Sequence, residues 1–152
     1  MTHTPYRFAN RLALLAVVLL VSAATVRAQD AVYDDGSVWE ITYVRTEPGQ
    51  FDNYLADLRA NWRQVQEVAI EQDVVLSYKV ISAPAANRDD WDLMLLVEYP
   101  NMAVMDRMRE TMMAFSASHF GSRQQGNQAQ ADRRQLREIL GMKLGRELVF
   151  ND

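Results

Sequence analysis

Few residues in this chain have the types and spacing that chemistry needs. His119 is the only histidine beyond His3, and cysteine is absent. An imidazole titrates near neutrality and could carry a proton. His119 stands in Ser116-Ala-Ser-His-Phe-Gly121, near the end of a helical stretch, where a histidine also simply complements the helix dipole. No base, nucleophile or orienting carboxylate is spaced to join it, so a triad has little support. One histidine and no cysteine exclude a His- or Cys-rich zinc site within one protomer. Asp89-Asp90-x-Asp92 lacks the ligand spacing and glycine of a calcium loop. The expectation is no metal and no cofactor.

Two other groups of residues could line a ligand site. Met102, Met105, Met108, Met112 and Met113 recur through one predicted helix. Thioethers can hold Cu(I) or form an adaptable wall for an apolar ligand, although a stripe at helical spacing is first of all core. Glu40, Lys79, Glu98 and Glu147 are charges on predicted strands. Under cover they would be cavity groups with shifted protonation, and at an open edge they would stay wet. The ligand-cavity candidates are Glu40, Thr42, Lys79, Glu98 and His119.

The elements that must position these residues follow from periodicity. Val38–Arg45, Val74–Ser82, Trp91–Tyr99 and Lys143–Phe150 are rich in β-branched, aromatic and leucine residues and read as strands. Phe51, Tyr54, Leu55, Leu58, Trp62, Val65 and Ala69 step by three and four, the stripe of a long helix over 51–71 whose outer side carries Asp57, Arg59, Arg63 and Glu67. Asn101 can cap a second helix after Pro100. The polar run 121–130 predicts a flexible loop, followed by a short helix near 132–140. Strand, helix, strand, strand, helix, strand is the βαββαβ order of a ferredoxin-like α+β sandwich, with a four-stranded antiparallel sheet and two main helices on one face.

Sorting the strands by alternation gives one almost wholly apolar set, with Trp39, Ile41 and Tyr43 grouped with Leu93, Leu95 and Val97. The other set mixes Val38, Glu40, Thr42 and Val44 with Met94, Leu96 and Glu98. A half-apolar second face calls for cover. A second copy of the sheet would supply it, making a homodimer; the leader or the 121–130 loop folding back is the alternative.

Trp39-Glu-Ile-Thr-Tyr-Val-Arg, then Glu47-Pro-Gly-Gln-Phe and a long helix with Tyr54 and Trp62, resembles the dimeric α/β-barrel superfamily. That superfamily includes NIPSNAP-like, antibiotic-biosynthesis-monooxygenase-like and stress-responsive barrel domains. The resemblance covers about residues 38–115 and the last strand. It implies a protomer whose sheet pairs with a partner's to enclose cavities. The activities it implies range from cofactor-free oxygenation through haem breakdown to small-ring isomerisation. Haem-degrading members use an Asn on the first strand with a nearby Trp and His. Here that strand has no Asn and His119 lies far beyond Trp91, which speaks against haem breakdown.

Ahead of the domain, Arg7 and Arg11, the apolar run Leu12–Val21 and the Val26-x-Ala28 ending have the three-part order of a cleavable export signal at 1–28. The run is about half of the ~20 residues a spanning helix needs, so cleavage is expected over anchoring. Residues 29–37 then read as a polar leader to a single domain at 38–152, periplasmic or secreted, with no membrane association after cleavage. The chain carries net charge −4. Three of its basic residues and none of its acids lie in the signal, so the remainder is more acidic still and unsuited to nucleic acid. Three functions stay open: a homodimer binding a small apolar molecule, a cofactor-free enzyme with Glu40, Glu98 or His119 as acid or base, and a purely structural dimerisation module.

Overall fold

The computed structural model describes residues 31–151, and the export signal expected at 1–28 lies outside them. Four strands, β1 (Tyr33–Thr46), β2 (Ser77–Ser82), β3 (Leu93–Tyr99) and β4 (Arg137–Phe150), form one sheet in the order β2-β3-β1-β4. Every adjacent pair is antiparallel. Between β1 and β2 runs a continuous helix, α1, whose α-helical parts Phe51–Asp57 and Arg63–Glu71 flank a π-helical segment, Leu58–Trp62. A 3-10 turn (Met102–Val104), α2 (Met105–Phe120), α3 (Arg123–Asp132) and a second 3-10 turn (Arg133–Gln135) lie between β3 and β4. The fold is the ferredoxin-like α+β sandwich.

The core lies between sheet and helices. Val44 and Leu93 are fully buried with Tyr54, Leu58 and Leu95, and Val38, Val97 and Tyr99 pack with Ala69, Val74 and Val104. Each such side chain contributes about 1.5–3 kcal/mol by leaving water. Asn101 caps the first 3-10 turn, its Oδ1 accepting the Ala103 N–H at 2.9 Å. Arg63 and Glu67 form the outer pair of α1 at 2.7 Å.

The register corrects the sorting of faces. Trp39 lies opposite Glu98, Ile41 opposite Leu96 and Tyr43 opposite Met94, whereas Glu40 faces Val97 and Thr42 faces Leu95. Directly opposed residues share a face, so the apolar side of β1 belongs with the mixed side of β3. Val38, Glu40, Thr42 and Val44 lie under the helices. The open face is then more apolar than alternation predicts, with Trp39, Ile41, Tyr43, Met94, Leu96 and Ile81 together. Apolar content misassigned β1 because its apolar side, Trp39, Ile41 and Tyr43, is the open one, while its half-apolar side floors a cavity instead of a close-packed core.

Three further boundaries differ. The 121–130 loop is replaced by α3, which begins where Ser122 Oγ accepts the Gln125 N–H at 3.2 Å. The short helix near 132–140 is absent, because β4 already begins at Arg137. Most of the 29–37 leader belongs to β1, paired from Tyr33 to Asp35 with the end of β4.

Candidate functional site

The sheet and helices do not close fully, and between them lies a cavity of about 490 Å³. Its floor comes from Glu40 and Thr42 on β1 with Leu95 and Tyr99 on β3; Trp62, Met108, Met112 and Phe115 give it apolar walls. Helix α3 and the turn after it supply Asn127, Gln130 and Arg133 at one side, and Arg137 opens β4 beside them.

The π segment matters here because an extra residue in one turn re-aims the side chains around it. Leu58, Asn61 and Trp62 all reach the cavity, as does Asp57 just before them. The Asn61 amide donates to Asp57 Oδ1 at 2.6 Å. A carboxylate here only accepts, so this contact fixes the amide, and Asn61 Oδ1 accepts from His119 Nε2 at 2.9 Å. Asp57 Oδ2 also lies 2.8 Å from Arg133 Nε, with both side chains largely buried. The contact is a charge pair without hydrogen-bond alignment, and both atoms are shut off from solvent.

Two more atoms of the cavity wall are shielded and have no hydrogen-bond partner. They are Gln66 Oε1, on a residue only 3% exposed, and Arg137 Nε. The Arg137 guanidinium lies 6.0 Å from the Tyr54 ring centroid. On the floor, Glu40 Oε2 accepts a long 3.5 Å hydrogen bond from the Tyr99 hydroxyl. Burial raises the Glu40 carboxyl above the usual carboxylate range, and the bond from Tyr99 only partly offsets it. Burial, with the Glu40 charge close by, drives Tyr99 well above the ordinary tyrosine range, so its hydroxyl stays protonated and donates. The Tyr54 hydroxyl is raised by burial against the opposing pull of Arg137.

A second, open cleft of about 690 Å³ adjoins this cavity, lined by Glu47, Arg134 and Glu138 among others. Asn127, Gln130, Arg137 and Ile139 line both spaces, so the cleft is a vestibule and Arg137 stands at its inner end.

The five residues singled out from sequence are not brought together. Glu40 and Thr42 line the cavity. His119 is exposed on α2 and does not line the cavity itself; it packs behind the wall residues Phe115 and Phe120, each at 4.8 Å, and bonds to Asn61. Lys79 and Glu98 lie on the open face, Lys79 5.4 Å from the Trp39 ring centroid and Glu98 accepting from Ser77 Oγ at 2.6 Å. Glu147, at the far end of β4, accepts from Ser37 Oγ at 3.0 Å. Sequence reasoning missed Gln66, Asp57, Asn61, Arg133 and Arg137. A signal existed for Gln66, which sits four residues after Trp62 on the apolar stripe of α1. Asp57 was assigned to the solvated side, which is where the regular 3.6-residue period would put it.

No family model matches the chain, and no curated protein matches it. Among solved structures it is similar to HapK from Hahella chejuensis, at 12% identity and a TM-score of 0.49 over 72% of this chain and 91% of that one. A likeness that distant carries no weight for the site. Among the described residues no helix is long and apolar enough to cross a membrane, and no three His, Cys, Asp or Glu side chains gather as metal ligands.

Proposed function

We propose that this is an exported homodimeric protein that binds a small, mainly apolar molecule between its sheet and helices. The observation that carries the reading is the cavity of about 490 Å³, walled by aromatic and methionine side chains, in which Gln66 Oε1 is buried without a partner. A mostly apolar hollow with a few convergent polar groups is the usual form of a ligand site. An orphaned buried acceptor costs about 1–3 kcal/mol, which a ligand's donor would offset. The three-part leader supports export, and a second copy would cover the apolar open face of the sheet.

Titration with neutral 2-naphthol, followed by calorimetry and thermal unfolding, tests the cavity. Saturable binding with a rise in Tm is expected. Absence of both heat and Tm shift would overturn the reading.

A second reading is favoured by the raised carboxyl of Glu40 beside Tyr99: a cofactor-free enzyme in which Glu40 passes a proton to or from the bound molecule. It requires turnover that Glu40→Gln abolishes while binding persists. Binding without turnover leaves the first reading alone.

A further inference from the structure

Charge is unevenly matched at the vestibule end of the cavity. Asp57 offsets Arg133 at 2.8 Å. Arg137 has no carboxylate within ion-pair distance among the described residues, and its Nε is sealed from solvent with no acceptor. The guanidinium lies beside the Tyr54 hydroxyl, its Nε lacks an acceptor, and its planar fork matches a carboxylate. The Arg137 charge fits a monoanion, while the Asp57 carboxylate disfavours a doubly charged group. Gln66 Oε1 is a second and separate unsatisfied atom, and an acceptor. It lies nine residues after Asp57 along α1, about 13 Å at 1.5 Å per residue. Trp62, Met108, Met112 and Phe115 supply the apolar wall.

We propose that the cavity takes a monocarboxylic acid with an apolar ring or chain body and a hydroxyl or N–H donor at its far end. The carboxylate lies on Arg137, and the donor meets Gln66 Oε1 once the amide, shielded as it stands, turns toward the cavity. This assignment rests on the cavity reading above and names the class of molecule bound.

The probes are 6-hydroxy-2-naphthoic acid and its neutral amide, titrated calorimetrically into the purified protein and into the variants Arg137→Met and Arg137→Lys. The acid is expected to bind about ten- to a hundredfold more tightly than the amide, the range for a buried charge-assisted contact. Arg137→Met should erase that preference, the acid losing at least about tenfold more affinity than the amide, and Arg137→Lys should keep part of it. Unchanged helix content and a cooperative thermal transition show that the variant is folded. Equal affinity for acid and amide in the unaltered protein overturns the carboxylate assignment and leaves the cavity reading standing. If acid, amide and 2-naphthol all fail to bind, both fall together.

Discussion

At the scale of single residues, the cavity is a set of polar groups held out of water with too few partners. Glu40 shows the consequence for pH. Its carboxyl is raised in the folded chain, so the folded state holds this proton more tightly than the unfolded state, and the stability tied to it is present at low pH. That stability is lost as pH rises from the unfolded value, 4.5, through the raised folded one. Glu40→Gln, which cannot ionise, should therefore gain Tm relative to the parent as pH rises through that window. Parallel Tm-against-pH curves would contradict the assignment. Arg133 supports the same site from the other side. Arg133→Met leaves the Asp57 carboxylate without its cation and should cost about 1–3 kcal/mol in urea unfolding. Little of this was legible in the sequence. Glu40 and Thr42 stood out as polar residues on a strand and Gln66 falls on the apolar stripe of α1, but Asp57 and Asn61 depend on a π turn that no regular periodicity shows. Arg137 depends on β4 beginning six residues before the strand pattern becomes plain at Lys143.

Among the elements, α3 decides whether the cavity has a side wall. Its sequence is polar throughout and rich in Gln, so no apolar stripe marks it as a helix. It folds because Gly121 takes the left-handed conformation that ends α2, with φ 79°, Ser122 caps the new start, and Gly126 lets the two helices approach closely. A Cβ on Gly126 would sit 2.1 Å from Ser116 Oγ and 3.4 Å from a Phe120 ring carbon. Gly126→Ala can be absorbed by rotating the Ser116 hydroxyl and by the gain in helix propensity, so its Tm should stay close to the parent's. Gly126→Val cannot, and should cost about 1–3 kcal/mol through overpacking and loosen 2-naphthol binding with it. Where strands carried β-branched and aromatic residues and α1 carried its stripe, the sequence was readable. Where an element is held by caps and one close contact, composition gives no warning.

For the whole molecule, strand and helix order sufficed to identify the ferredoxin-like sandwich, while strand register was needed to say which face looks where. Alternation alone cannot supply that register: moving β1 by one residue exchanges Trp39, Ile41 and Tyr43 with Glu40 and Thr42. The correction gives the sheet two separate tasks, a cavity floor on the helix side and an apolar surface on the other. Ile41→Lys at the centre of that surface should convert a dimer to single protomers in sedimentation, with helix content unchanged. A protein that sediments as single protomers before any substitution would remove the second task. The first is tested most directly by filling the cavity from its floor. In Thr42→Phe the larger side chain projects into the space from β1. Calorimetry is expected to show 2-naphthol binding to the parent and none to Thr42→Phe, at equal or higher Tm. Undiminished binding in the filled variant would contradict the account.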